Sequence, residues 1–261
     1  MPAGSQHADD RVYRVVVRIF KTLFRLLDIR FDLRDADRIP ATGPAVLAGN
    51  HISFLDFGFV GLAADHRHRL VRFMARQGVF RVRLLGRLLT AMGHIPVDRA
   101  AGSGAARLAL SRLAAGELVG VFPEGTISRS WTLKQFHPGA VALAVTRGVP
   151  IIPVIIWGGH RLITVDGHRS LRRRIPVSVW VGEPIAPDPG WAARGRARVA
   201  LIEELVTRLR AEMTELLDRA QREYPEQPRN PAESWWLPRH LGGTAPDPVQ
   251  AAVLDAARML D

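Results

Sequence analysis

An α/β fold with a mixed, largely parallel sheet flanked by helices is the class this sequence predicts. Apolar runs that read as buried strands alternate with helix-periodic segments from about residue 44 to residue 222, the pattern of layered α/β domains. No internal repeat is visible, and no linker precedes residue 223. The length of 261 residues, 47% of them hydrophobic, suits one sizeable core with two appendages. The expected division is a front segment (1–33), an α/β domain (34–222) and a Pro-rich tail (223–261).

Residues 1–10 are polar and expected to be disordered. Residues 11–27, "RVYRVVVRIFKTLFRLL", predict a helix. At roughly 100° per residue, Arg11, Arg14, Arg18, Lys21 and Arg25 fall within about 80°. A narrow basic stripe beside a wide apolar face suits a helix lying on a membrane surface. Five like charges on one stripe repel unless anions neutralise them. Packing on its own domain, with a solvated basic edge, is the alternative.

Strand and helix then alternate. "PAVLAG" (44–49) reads as a buried strand and 55–64 as a helix. "LVRFMA" (70–75) is a second strand, followed by a basic helical stretch to about 91. "HIPVDR" (94–99) is short and strand-like, and 103–115 is helical with Ser103 as N-cap. "ELVGVFPEG" (117–125) is a strand ending in a Pro-Glu-Gly turn. A helix over 138–148 has Pro138 in its first turn and Gly148 at its end. Strands over 149–158 and 175–185 carry prolines, which call for edge positions, bulges or strand starts. A long amphipathic helix spans 193–222. The tail holds Trp235 and Trp236, suited to core packing or to a membrane interface, and an Ala-rich helix near Asp247 and Pro248.

The net charge of +11 favours anionic partners, although all but two of the 36 basic residues, Lys21 and Lys134, are arginine, as a composition bias would also give. The chain has no cysteine, so thiolate chemistry and Cys-ligated metal are excluded. No run approaches the ~18 apolar residues of a spanning helix, and arginines interrupt the N-terminal apolar residues where a signal peptide would be continuous. The expectation is a protein lying on a membrane or in solution.

Polar residues gather where strands end, the place where open α/β sheets put their ligand crevice. "NHISFLD" (50–56) pairs His51 with Asp56 five positions on. An imidazole can exchange a proton near neutral pH, and a carboxylate on its second nitrogen would fix its tautomer. Asp56 could instead cap the next helix, but Ser53 is better placed to do so. "FPEGTISR" (122–129) offers turn N–H groups, the Thr126 and Ser128 hydroxyls and Arg129, donors suited to a phosphate or an oxyanion. Glu124 repels phosphate, so it orients Arg99 or Arg129 or bonds a substrate hydroxyl.

In order, "NHxxxxD", "GxxxxxR" (93–99), "FPEGTxSR" and "VPIIPV" (149–154) resemble the lysophospholipid acyltransferase family, which includes lysophosphatidic acid acyltransferase. The resemblance covers roughly 40–185. It implies His51 as general base and Asp56 as its orienter, with acyl-CoA or acyl carrier protein as co-substrate and no further cofactor or metal. It implies that Arg99, with Glu124 and Gly125, binds the acceptor's glycerol phosphate, beside Thr126 and Arg129. Residues 149–154 would be core or would line an acyl pocket. Two departures stand out. Pro96-Val97 replaces Phe-Ile, and "FHPGA" (136–140) puts His137 where many members have lysine, with Lys134 close by.

The expected activity is acyl transfer to lysophosphatidic acid in phospholipid synthesis, on the cytoplasmic face of the cell membrane, by a peripheral protein drawn to anionic lipid. Another lysophospholipid or glycerol phosphate as acceptor, and hydrolysis of the thioester, are alternatives. A non-catalytic anion or membrane binder would leave His51 and Asp56 unexplained. Nucleic acid is not expected, because the aromatic and motif signatures of such modules are missing.

Overall fold

A computed structural model describes residues 10–98 and 103–257. Helix α1 (Asp10–Leu26) leads into strand β1 (Arg30–Arg34) and then β2 (Ala45–Gly49). Helix α2 (Asp56–Asp65), β3 (Val71–Arg76), α3 (Gln77–Phe80), α4 (Arg83–Ala91) and β4 (Ile95–Val97) follow. Next come α5 (Gly104–Ala114), β5 (Leu118–Val121), α6 (Gly139–Arg147), β6 (Ile151–Trp157) and β7 (Pro176–Val181). The long α7 (Gly195–Arg222) and α8 (Pro248–Ala257) complete the order.

The strands form one seven-stranded sheet in the order β1-β7-β6-β2-β5-β3-β4. Every neighbouring pair is parallel except β6 with β7, so the sheet is mixed and largely parallel, as expected. Strands β2 and β6 are buried along their whole length. Two apolar layers account for this: α1 and α2 cover one face, while α5, α6 and α7 cover the other. In α7 the buried residues Leu205, Leu209, Met213 and Leu217 recur every four positions, the stripe an amphipathic helix presents to its sheet.

Several expectations need correction. β1 was not foreseen, and it crosses the expected boundary at 33/34. None of its residues is buried, and they pair with β7 from Arg30↔Pro176 to Arg34↔Trp180. An edge strand buries too little to show a long apolar run. Pro153 is not at an edge, since β6 lies between β7 and β2. The register explains its tolerance. Three positions separate Ile151 from Val154, but four separate their partners Val181 and Ile185, so a bulge lies opposite Pro153. Residues 149–154 therefore serve the core. Pro176 starts β7, where no ladder N–H is lost.

The tail, expected as an appendage over 223–261, is part of the domain in its described residues, because Tyr224, Trp236, Leu237 and Ala245 are buried in the main core. The Trp131 indole N–H donates to the Trp235 carbonyl at 2.8 Å. Ser103 precedes α5 as foreseen, but its side chain makes no capping bond. Gly148 closes α6 at φ +63°, the left-handed cap a glycine tolerates.

Helix α1 packs through Tyr13 and Phe24. The Tyr13 hydroxyl donates to Val71 O at 2.7 Å, and Lys21 pairs with Asp65 of α2. Its opposite side leaves Val15, Ile19, Leu23 and Leu26 exposed. Among the described residues no helix is long and apolar enough to cross a membrane.

Two glycines make room for a ring stack beneath the strand ends. Phe73 and Phe122 stack at 6.0 Å between centroids. A Cβ on Gly120 would lie 2.5 Å from the Phe73 ring, and one on Gly49 would lie 3.0 Å from Phe122. Gly120→Ala should therefore destabilise the protein by about 1–3 kcal/mol through overpacking. Gly61→Ala, inside α2 with nothing within 4 Å of the added Cβ, should instead stabilise it by about 0.5–1 kcal/mol. Denaturant melts of both variants check this opposition of sign.

Candidate active site

Strands β2 and β5 end side by side, and their carboxyl ends deliver residues 50–56 and 122–129 to one place. Asn50 leaves β2 and uses its side chain as a further strand residue. Its Nδ2 donates to Ile156 O at 2.9 Å, and its Oδ1 accepts from Ile156 N at 2.6 Å. The chain then turns away from the sheet at His51.

Asp56 is completely buried at the start of α2. Its Oδ2 accepts from Ile52 N at 2.6 Å and from Ser53 N at 2.7 Å, and it lies 2.9 Å from His51 Nδ1. Because Oδ2 already receives two N–H groups, it is the acceptor towards the ring as well. Nδ1 therefore carries the proton, and Nε2 is the nitrogen left for chemistry. Burial pushes the Asp56 carboxyl up from the ordinary carboxylate range, while bonds from His51, Ser53 and Ile52 pull it back. The His51 side chain is 23% exposed, accessible at one edge and held at the other.

The rest of the loop is bonded on all sides. His51 O accepts from Ser128 N at 2.7 Å, and Ile52 O accepts from the Thr164 hydroxyl at 2.6 Å. The Ser53 hydroxyl donates to Ile163 O and accepts from Leu55 N at 3.1 Å. Ser53 thus caps the turn before α2 rather than α2 itself, whose N-cap position is Leu55. The Phe122 ring stacks on the imidazole at 4.4 Å, 19° from parallel.

The third motif differs from expectation in its details. Glu124 does not orient Arg129, whose partners are Asp166 and Asp255. Its Oε1 accepts from His51 N at 2.8 Å and its Oε2 from Lys134 N at 3.0 Å, so it ties the histidine to the 134 segment. Gly125 sits at φ +73°, and its N–H closes the turn on Phe122 O at 3.0 Å, which spends the donor foreseen for substrate. Arg129 turns inward, 5% exposed. Asp166 takes its Nε and Nη2 at 2.8 and 3.0 Å, and Asp255 of α8 takes its Nη1. With two carboxylates on it, Arg129 holds loops together and does not face substrate.

Thr126 is exposed, and its hydroxyl accepts from Lys134 Nζ at 2.7 Å. Lys134 also pairs with Asp255. His137 is exposed. Arg99 lies outside the described residues. Phe122 is a positioning group that sequence reasoning missed, and Glu124 was singled out but with another role than tying His51 to Lys134. The signal for Glu124 was an acid in an otherwise anion-seeking turn.

Burial pushes the Glu124 carboxyl up to about 7, against the pull of the Lys134 and His51 N–H groups. The native state therefore keeps a proton that the unfolded chain loses near pH 4.5. Folding takes up that proton between the two values, so stability falls as pH rises through the window. Relative to Glu124→Gln, the wild type should lose at most about 3 kcal/mol across it. Denaturant melts of both proteins at either end of the window measure the difference.

A family model described as Acyltransferase matches residues 30–157. A chloroplastic 1-acyl-sn-glycerol-3-phosphate acyltransferase of Brassica napus is 26% identical, over 59% of this chain and 44% of its own. The beta form of the same enzyme from Homo sapiens is 33% identical, over 53% and 49%. The chain spans about half the length of the curated relatives it matches. In fold it is similar to the crystal structure of the acyltransferase PlsC from Thermotoga maritima. The TM-score is 0.64 at 20% identity, over 82% of this chain and 81% of that one. Residues 30–157 thus resemble the acyltransferase family, and the named relatives to which this chain is similar are 1-acyl-sn-glycerol-3-phosphate acyltransferases.

Proposed function

We propose that the protein transfers a fatty acyl group from a thioester, acyl-CoA or acyl carrier protein, to the free hydroxyl of lysophosphatidic acid. The observation that carries this reading is the contact of His51 Nδ1 with the buried Asp56 Oδ2 at 2.9 Å. The names of the relatives support the acceptor class.

In this mechanism His51 Nε2 takes the proton from the lysolipid hydroxyl as its oxygen attacks the thioester carbonyl. The tetrahedral intermediate then expels the thiolate, which recovers the proton from His51. Asp56 holds the ring and stabilises the imidazolium, as an orienting carboxylate does in other acyl transfers. Transfer is direct, and no acyl-enzyme forms. Thr126 and Lys134 lie near the His51 loop and can donate to the acceptor's phosphate; Arg99, assigned by the family resemblance, would add a bidentate donor. The acceptor is a lipid, so the protein works as a peripheral protein at an anionic membrane surface.

His51→Ala should lower kcat about 10²–10⁴-fold or more with the melt unchanged, and Asp56→Asn should lower it through misorientation. Mass spectrometry with labelled acyl thioester and a panel of lysolipids reads the outcome. Diacyl product lost in both variants supports the assignment. Full activity in His51→Ala, or free fatty acid as the only wild-type product, contradicts it. Arg99→Ala and Lys134→Ala should each raise the acceptor KM several-fold with little change in kcat; an unchanged KM would remove that residue from the phosphate site.

A further inference from the structure

The segment from His66 to Val97 contains seven arginines and no aspartate or glutamate. Its middle, α3 and α4 with the turn between them, begins where β3 ends. This hairpin therefore stands at the same carboxyl edge of the sheet as His51, on the strand that carries Phe73, the far ring of the Phe73–Phe122–His51 stack. Gly86 brings the two short helices together, since a Cβ there would lie 1.9 Å from the Phe80 carbonyl oxygen. That close crossing turns residues 81–85 outward, and all five are exposed.

What they expose is unusual for a solvated hairpin. Leu84 is 80% exposed, Val82 57% and Leu85 40%, with Val79 beside them at 37%. Scattered surface aliphatics need no explanation, but four within seven residues form a patch. Arg76, Arg81, Arg83 and Arg87 are exposed among them, and none has a carboxylate partner among the described residues. Uncompensated arginines interleaved with aliphatics match one kind of surface: anionic headgroups above acyl chains. Helix α1, which is in contact with α4, carries exposed aliphatics of its own at Val15, Ile19, Leu23 and Leu26.

We infer that the α3–α4 hairpin is a membrane-docking element, with Leu84, Leu85 and Val82 entering an anionic bilayer and Arg81, Arg83 and Arg87 on its headgroups. It sets the mouth of the site against the surface that holds the acceptor. The inference deepens the proposed acyl transfer to a lipid substrate and gives the docking role to a second element besides α1.

Flotation of the full chain with phosphatidylcholine vesicles, with and without phosphatidylglycerol, tests it. Replacing Arg81, Arg83 and Arg87 together by Gln should weaken partition onto phosphatidylglycerol vesicles on the order of 100-fold, with little effect on pure phosphatidylcholine. Replacing Val82, Leu84 and Leu85 together by Ser should weaken partition onto both by at least about 10-fold. These residues are exposed, so both variants should melt as the wild type does. Acyl transfer to a monodisperse short-chain lysophosphatidic acid should remain within about twofold, because neither set touches the His51 site. Wild-type partition by both variants, or a wild-type protein that ignores vesicles and retains an RNA probe instead, overturns the proposal. A wild-type protein that docks yet transfers no acyl group leaves docking intact and refutes the activity.

Discussion

One oxygen, Asp56 Oδ2, organises the His51 loop. It receives the Ile52 and Ser53 amides and the His51 ring, so a single buried acceptor fixes three successive residues. A carboxylate inside a protein is costly unless its partners are in place, and here they come from the loop that it shapes. The backbone amides make Oδ2 an acceptor, that role decides which ring nitrogen carries the proton, and the tautomer in turn decides which nitrogen can serve as base. A simple helix cap would do none of this.

The sheet makes that arrangement possible. Two fully buried strands, β2 and β6, are rigid because polar backbone with no access to water must be fully bonded. Asn50 extends that bonding past the end of β2 by pairing with Ile156. The chain is thus held until the residue before His51. Glu124 and Ser128, from the neighbouring strand's exit, bond the His51 amide and carbonyl. Position is fixed by main-chain bonds and tautomer by a side-chain bond, and neither depends on a flexible group. The arginine-rich composition serves elsewhere, in inward pairs such as Arg129 with Asp166 and Asp255 and in exposed groups such as Arg81 and Arg83, which have no carboxylate partner among the described residues.

The core alternation was legible in the sequence because β2, β5 and β6 are short apolar runs bounded by turns, and their helices have clear periodicity. β1 was not, since Arg30, Asp32 and Arg34 place charge on every second residue of an edge strand. Pro153 suggested an edge or a bulge, and only the register between β6 and β7 chooses the bulge. His51 and Asp56 could be picked out by type and spacing. Their neighbours' roles could not, because Glu124 and Arg129 are placed by partners in other segments, at His51, Lys134, Asp166 and Asp255. An acid that receives two amides from distant segments looks, in sequence, like an acid facing substrate. The tail illustrates the same limit, for Trp236 joins a core in which the Tyr224 ring and the Arg161 guanidinium meet its indole.

The claim on which the account rests is that Asp56 fixes the His51 tautomer with the proton on Nδ1. Long-range proton–nitrogen NMR of histidine-labelled protein, with His51 assigned by loss of its signal in His51→Gln, reads this directly at a pH where the ring is neutral. The account predicts a protonated Nδ1 and an unprotonated Nε2 in the wild type, and loss of that single tautomer in Asp56→Ala. A wild-type ring protonated on Nε2, or one whose tautomer does not respond to Asp56→Ala, would contradict it.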